Sequence, residues 1–457
     1  MLRLSGGQVE SLFDDVLPVE VRELPPDLAA LDVLLGDRAL LEPIERAWGA
    51  AARDHGRPTI PMGMFVRLVV VKQRVGWGYE TLVREVSDSL HLRRFCLIGL
   101  AERVPDESTV RKLVRRLGPD VVNEITRVVI AKAERETRFR ARAVRVDSTV
   151  VEADVRYPSD AVLALQGAKA LAREGRKLGK LLAGKAVRVV DRSRQIGKTV
   201  RAISRTLARR TGQRVEQVIA FNARAGRAMS RSVREARRLA AQARAAARGR
   251  GARAKLRAAA ELDRLASDCE RVAAQIEQRL AGEKIADRIV SLADTDARPI
   301  RKGKLGKPNE FGYVAQIAEV TANTGRGARG FVLPAATAPG NAGENTLLPA
   351  TVRELERLQT KPREVALDGG FGHLKSAQQL APIEPARVFV SGRQEPSSRR
   401  TRKRLARYRT GAEGRISHLK RGYGLRRSRL RGHQGQQTWT GWAILAYNLD
   451  TLAIRTP

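Results

Sequence analysis

Cysteines and long apolar runs are scarce in this 457-residue chain. Its two cysteines, Cys96 and Cys269, stand far apart, which argues against a disulfide framework and a cysteine-rich zinc site. No apolar run approaches the roughly 20 residues of a membrane helix, and the N-terminal residues MLRLSGGQVE contain no secretory apolar segment. The sequence also contains neither a Walker lysine loop nor a nucleophile elbow. We therefore expect a cytoplasmic protein without a membrane partner.

Acidic residues are also few relative to basic ones. The chain has 49 Asp and Glu against 86 Lys and Arg, which gives a net charge of +37. Such a charge attracts polyanions strongly, and nucleic acid is the polyanion we expect. At roughly 150 residues per domain, the length suggests about three units, and the 42% apolar content is enough for at least one substantial core.

The periodicity of apolar residues divides the chain into regions. Helical spacing predicts an all-helical N-terminal domain over residues 1–137. In residues 138–159, Val144 and Val146 alternate with arginines, which predicts a strand and the first part of an α/β core. Residues 160–290 return to helical spacing around an Ala/Arg-rich centre and are interpreted as a helical insertion.

A helix-turn-helix is predicted at residues 78–117. The helical pattern GYETLVREVSDSL precedes PDESTVRKLVRRLG, in which Asp106 or Ser108 is a candidate N-cap and Gly118 a candidate stop. The second helix of this motif is basic, and Arg111 and Lys112 on it are candidate DNA contacts.

Two segments concentrate the positive charge. Residues 161–290 hold 32 Lys and Arg against 11 Asp and Glu, a net charge of +21. Residues 387–433 hold 16 Lys and Arg against 2 acids, and their centre is interpreted as an arginine-rich link. Strands and helices alternate over residues 291–457, which we interpret as the second part of the core. Both basic segments are candidate DNA-binding surfaces.

Three acids stand out as candidate metal ligands: Asp147, at the predicted end of the first strand, Asp368, directly after the strand EVAL, and Glu413, in the basic C-terminal segment. Cutting a phosphodiester with bound metal ions requires several carboxylates from separate elements. Acids just past strand ends point into the crevice where α/β sheets bind ligands. An isolated aspartate at such a place is more often a turn or capping residue, and a lone glutamate among arginines more often an ion-pair partner.

Other acids compete for the metal role. Asp294 and Asp296 stand near a predicted strand, and Glu152 and Asp154 follow Asp147 closely, so that each is either a ligand or a structural residue. Glu344 is interpreted as a helix N-terminal acid that the helix dipole favours.

Several stretches of the chain resemble the bacterial DDE insertion-sequence transposases that carry a helical N-terminal domain and a tyrosine-arginine-glutamate-lysine signature. The resemblance covers nearly the whole chain. The matching stretches are the helical block from 59 to 117, VDSTVVEADVRYPSD, SLADTDARPIRKGKLGKPNEFGY, APGNAGENTLL, VALDGGFGH, EGRISHLKRGYGLRRSRLRG and WAILAYNL. It implies a ribonuclease H-like core with a mixed sheet, interrupted by the helical insertion and preceded by the helical domain.

The resemblance also implies roles for individual residues. Asp147 and Asp368 match the two catalytic aspartates and Glu413 the catalytic glutamate, all three as metal ligands. Arg409, with three residues between it and Glu413, and Lys420, with six residues between Glu413 and itself, match the arginine and lysine of the signature. Both suit phosphate binding, the arginine through a planar fork and the lysine through a point charge.

The signature departs from the family pattern at its tyrosine. The expected position holds Ala406, and Tyr408 is close to it but out of register. Arg415 and Arg421, in the same basic segment, are further candidate DNA contacts.

The resulting hypothesis is a transposase that cleaves and joins DNA with two Mg²⁺ or Mn²⁺ ions. Its expected partners are double-stranded DNA, as terminal inverted repeats and target, and further copies of itself in a homodimer or larger assembly. The expected location is the bacterial cytoplasm, in association with the nucleoid. Two alternatives remain: a structure-specific nuclease on the same core, and a DNA-binding protein that has lost catalysis.

Overall fold

The computed structural model describes residues 1–6, 16–49, 58–182, 186–208, 214–301, 309–393 and 398–456. It divides the chain into two units, one comprising Met1–Asp154 and Gly312–Pro457, the other Val155–Phe311. Residues 302–308, which belong to one of the stretches matching the transposases, lie outside the described residues.

Helices form the described part of the N-terminal region, as predicted. They are Val19–Arg22 (α1), Pro26–Leu35 (α2), Glu42–Trp48 (α3), Met62–Val75 (α4), Tyr79–Asp88 (α5), Leu90–Phe95 (α6) and Glu107–Glu136 (α7). Helix α7 is interrupted at Gly118, whose φ of 67° and ψ of −170° suit glycine, and Pro119 follows. The predicted helix stop at Gly118 is therefore a break between two helical segments.

The helix-turn-helix candidate has a longer connection than expected. Its two helices are α5 and the first segment of α7, and α6 with the loop after it separates them. A typical motif of this kind has a turn of about 3–4 residues. DNA binding by this region therefore stays a prediction.

The strands are Ala143–Ala153 (β1), Arg298–Arg301 (β2), Asn309–Thr321 (β3), Phe331–Val332 (β4), Ala336–Pro339 (β5), Glu364–Leu367 (β6), Arg387–Val390 (β7) and Arg427–Ser428 (β8). In the first unit the strand order is β3-β1-β6-β7, with β4 and β5 paired to β3 and β8 to β1. Strands β1 and β3 run antiparallel, whereas β1, β6 and β7 run parallel. The predicted mixed sheet is thus confirmed.

The remaining helices of the first unit are Glu344–Arg357, His373–Leu380, Arg399–Gly422 and Gly432–Ala453. The helix over Arg399–Gly422 corrects the interpretation of this segment as an arginine-rich link. Ser398 caps its start by accepting a hydrogen bond from the Thr401 amide at 3.2 Å. Along it, a sparse stripe of Leu405, Tyr408, Ala412 and Leu419 is buried. Cationic side chains surround this stripe, which hides the helical period in the sequence.

The C-terminal helix Gly432–Ala453 is buried along most of its length, as its apolar sequence predicts. Trp439 and Trp442 are both buried, which agrees with their apolar surroundings in the sequence. A Cβ atom at Gly441 would lie 2.5 Å from Val122 Cγ1, so glycine permits the close approach of this helix to α7. One hydrophobic cluster therefore takes residues from the N-terminal helices, the sheet and this helix.

The second unit is built from long helices, namely Asp160–Gly179 (α8), Ser193–Ala208 (α9), Arg214–Ala245 (α10) and Ala252–Leu280 (α11). Their shared core is rich in alanine, and Gly167 on α8 allows close packing because a Cβ there would lie 2.8 Å from Cys269 Sγ. Among the described residues, no helix is both long and apolar enough to cross a membrane. The helices of the first unit that follow in the chain are Glu344–Arg357 (α12), His373–Leu380 (α13), Arg399–Gly422 (α14) and Gly432–Ala453 (α15).

Candidate active site

The register of two parallel strands brings Asp147 and Asp368 together. Strand β1 pairs with β6 as far as Val146 and Leu367, and the two aspartates are the next residues along each strand. Asp147 lies in the middle of β1, not at its end as predicted, because β1 continues to Ala153 along β3 after β6 has ended. The side chains of Asp147 and Asp368 therefore lie beside the crevice that opens where the pairing of β1 with β6 ends.

A third carboxylate, that of Glu344, joins the pair. One carboxylate oxygen from each of Asp147, Glu344 and Asp368 lies within 4.8 Å of those from the other two. We call these three residues the carboxylate cluster. Glu344 is in the first turn of α12, as its interpretation as a helix N-terminal acid requires, but the fold also places it in the cluster. Its stretch APGNAGENTLL was among those resembling transposases, which was the only sequence signal for it.

Burial and nearby negative charge raise the pKa values of Glu344 and Asp147. The pKa of Glu344 rises to about 7, mainly through burial and further through Asp368 and Asp147. Burial also raises the pKa of Asp147 to about 6, although the Ser148 amide, which donates a hydrogen bond at 2.7 Å, opposes this. Negative charges so arranged favour a bound cation.

Arg409 connects Glu413 to this cluster. From helix α14, its Nη1 donates to Asp368 Oδ1 at 2.9 Å and its Nη2 to Glu413 Oε1 at 3.0 Å. The Glu413 side chain is 60% exposed, against 15% for Arg409. Among the described residues, Glu413 is not one of the three whose carboxylate oxygens converge. The structure thus brings all three predicted acids to one neighbourhood, with an arginine between the second and the third.

The signature's tyrosine position holds Ala406, and the nearby Tyr408 does not expose its phenol to solvent. Ala406 is exposed, and Tyr408 is 2% exposed, on the buried stripe of α14. The Tyr408 hydroxyl forms a 2.6 Å hydrogen bond with Thr321 Oγ1. Tyr408 therefore has a structural position.

A buried ion-pair network holds α14 on the sheet. Glu319 on β3, 1% exposed, accepts hydrogen bonds from Arg145 on β1 and from Arg415 Nε at 3.0 Å. The network leaves no room at Gly411, where a Cβ would overlap the Arg145 guanidinium. Arg415, predicted to contact DNA, has a side chain only 10% exposed, and its pairing with Glu319 favours a structural role.

The other predicted DNA contacts lie nearer the surface. Lys420 is half-buried and Arg421 is exposed, both in the last turn of α14. Arg111 pairs with Glu107 at 3.2 Å on α7, and Lys112 beside it is exposed.

The competing acids lie outside the carboxylate cluster. Glu152 and Asp154 flank Arg427, whose Nη2 lies 2.9 Å from the Glu152 carboxylate. Asp294 and Asp296 belong to the second unit. Glu152 and Asp154 thus have surroundings distinct from those of Asp147 and Asp368.

Comparison with known proteins finds two family models that match this chain. A model described as "Transposase domain (DUF772)" matches residues 22–116, and a "Transposase DDE domain" matches residues 292–449. The second match contains Glu344, Asp368, Arg409 and Glu413, whereas Asp147 lies outside both and enters the site through the pairing of β1 with β6. No curated protein and no solved structure matches the chain significantly. The two models agree in kind, and with them this chain is identified as an insertion-sequence DDE transposase, a metal-dependent enzyme that acts on DNA.

Proposed function

We propose that Asp147, Asp368 and Glu413 are the catalytic carboxylates of this transposase and that they bind two Mg²⁺ or Mn²⁺ ions. The observation that carries the proposal is the convergence of Asp147 and Asp368 where β6 ends, beside the Arg409–Glu413 pair. The mixed sheet with its antiparallel β3-β1 pair and parallel β1-β6-β7 strands supports a ribonuclease H-like core. The second unit, Val155–Phe311, corresponds to the helical insertion of this proposal.

The donor set fits the proposed ions. Mg²⁺ and Mn²⁺ prefer oxygen ligands, and carboxylates supply them once they are deprotonated. When bound, such ions polarise the phosphate and lower the pKa of an attacking water. The chain itself holds the carboxylates in place through the β1-β6 register and through the packing of α14 on β1 and β3.

Arg409 changes partner in this proposal. In the structure its guanidinium neutralises Asp368 and Glu413 together. A DNA phosphate offers the same planar fork an alternative anionic partner, so DNA entry would draw Arg409 away and leave Glu413 able to turn towards Asp368. Lys420, two turns beyond Glu413 on the same helix, would bind a neighbouring phosphate, and Arg421 the flanking backbone.

The wider DNA contacts are proposed from charge. The basic residues of the second unit and the cations of α7, with Arg111 and Lys112 among them, would hold the terminal inverted repeats. The family resemblance implies that two or more copies of the chain pair two DNA ends. The N-terminal residues 1–137 would serve both DNA binding and this assembly.

The test is cleavage and strand transfer on labelled DNA carrying the element's own ends, with Mg²⁺ or Mn²⁺. We expect Asp368→Asn to lose both cleaved and joined products while retaining DNA binding. Asp154→Asn serves as the matched control, since Asp154 is a 64% exposed acid outside the carboxylate cluster, and it should keep both reactions. Full cleavage by Asp368→Asn would contradict the assignment, and cleavage without joining by the wild type would favour a nuclease.

A further inference from the structure

The carboxylate cluster contains one residue that the DDE assignment leaves without a role, namely Glu344. We propose that Glu344 is a ligand of the catalytic metal and that, together with Asp147 and Asp368, it binds one divalent ion before DNA arrives. The inference rests on the proposed function of the two aspartates, and it adds a carboxylate that the match to the two aspartates and one glutamate does not include.

The spacing of the three carboxylates suits a single ion. Oxygens that bind one divalent cation at about 2.1–2.5 Å lie at most about 4–5 Å apart. One oxygen from each of Asp147, Glu344 and Asp368 meets this condition, since all lie within 4.8 Å of one another. Glu413, by contrast, is occupied by Arg409 and is 60% exposed. In the DNA-free protein, Glu344 is therefore the better placed third ligand.

A second and independent observation is an unpaired oxygen. Glu344 Oε2 is buried and has no hydrogen-bond donor among the residues that the structure describes. A buried carboxylate oxygen without a donor is unfavourable unless a water molecule or an ion satisfies it. A metal ion between Glu344 and the two aspartates would satisfy this oxygen.

The surrounding chain aims Glu344 at the aspartates. Gln316 on β3 donates to the Glu344 carbonyl at 3.0 Å, and Thr351 in turn donates to Gln316 Oε1 at 2.7 Å. Asn345 accepts a hydrogen bond from the Gly372 amide at 2.7 Å. These contacts fasten the start of α12 both to the sheet and to the loop that follows Asp368, so the position of Glu344 is built into the fold.

The absence of a side chain at Gly370 completes this arrangement. A Cβ there would lie 2.5 Å from Glu344 Oε2, at the far end of a flexible side chain. Gly370→Ala should therefore displace the Glu344 carboxylate with little disturbance of the backbone. It provides a second variant that removes the ligand from its place without removing its charge.

The experiment is Mn²⁺ binding to the DNA-free full-length protein, followed by the electron paramagnetic resonance signal of free Mn²⁺. We expect Glu344→Gln, Gly370→Ala and Asp368→Asn each to weaken binding at least about tenfold. The exposed Asp154 lies outside the carboxylate cluster, so Asp154→Asn should leave binding nearly unchanged. Circular dichroism without metal checks that each variant folds. Glu344→Gln removes one of three repelling charges and should fold at least as well as the wild type.

The outcomes separate the two proposals. If Asp368→Asn loses Mn²⁺ while Glu344→Gln retains it, the role of Glu344 is refuted and the aspartate site stands. If Asp368→Asn retains the wild-type affinity, the proposed active site fails as well. The inference places the first ion in the DNA-free protein. A wild-type protein that binds Mn²⁺ only in the presence of DNA would therefore also overturn it.

Discussion

Replacement of Glu319 by glutamine tests whether the buried network positions the catalytic helix. Glu319 accepts hydrogen bonds from four donors: Arg145 Nε at 2.9 Å, Arg145 Nη2 at 2.6 Å, Arg415 Nε at 3.0 Å and the Gly330 amide at 2.9 Å. Glu319→Gln keeps the shape of the side chain but removes the only charge that these donors share, and its amide group turns a donor towards a guanidinium.

The expected loss of stability follows from the burial of the two arginines. Their side chains are 5% and 10% exposed, so water cannot replace the lost carboxylate. Removing one partner of a buried ion pair destabilises a protein by about 3–5 kcal/mol. Arg145 retains the carbonyls of Tyr408 and Ala328 as acceptors, so we expect the lower end of this range.

Tryptophan fluorescence during urea unfolding provides a suitable assay. All four tryptophans, Trp48, Trp77, Trp439 and Trp442, lie in the unit that contains the network, so their signal follows that unit alone. This matters because a protein of two units need not unfold in a single step. The Arg409–Glu413 pair lies on the same helix, so strand transfer should fall in parallel.

A matched control is Glu384→Gln, which breaks an exposed pair with Lys361 whose side chains are 73% and 69% exposed. Such a pair contributes at most about 1 kcal/mol. If Glu319→Gln shifted the unfolding free energy no more than Glu384→Gln, the network would not hold α14 on the sheet, and the argument would be wrong.

Three further outcomes are expected. Gly411→Ala should lower the unfolding free energy of the same unit by about 1–3 kcal/mol, because the added methyl group overlaps the Arg145 guanidinium; an unchanged urea midpoint would contradict this. Burial lowers the pKa of Lys72 to about 7, so the unfolded chain binds the proton up to about pH 10 and stability should rise with pH across that window. Lys72→Met should remove this rise from thermal melts, and a wild-type curve parallel to that of the variant would refute the assignment. Because the pKa values of Asp147 and Glu344 are raised, the folded metal-free protein holds protons that the unfolded chain has already lost. Its stability should therefore fall as pH rises through about 6 and 7, whereas its affinity for Mn²⁺ should rise. Equal Mn²⁺ affinity at about pH 5.5 and about pH 7.5 would contradict these pKa shifts.

Much of the fold was predictable because its signals are local. The alternation around Val144 and Val146 indicated a strand, and helical spacing indicated the N-terminal helices, since backbone preference and face periodicity depend on near neighbours. The same reasoning failed for α14, where long cationic side chains conceal four buried residues. It also ended β1 too early, because how far a strand extends depends on its partner β3.

The sequence by itself determined the class of this protein: its charge, its motifs and the order of its elements were enough to indicate a DDE transposase. Only the tertiary structure decided which side chains meet. The β1-β6 register joined Asp147 to Asp368, and the packing of α12 added Glu344 from a part of the chain far from either. The tertiary structure likewise buries Arg415 and Tyr408, although both have mostly charged and polar neighbours in the sequence. The physical reason is that motifs record residue type and spacing, whereas partners and burial depend on contacts between segments that are distant along the chain.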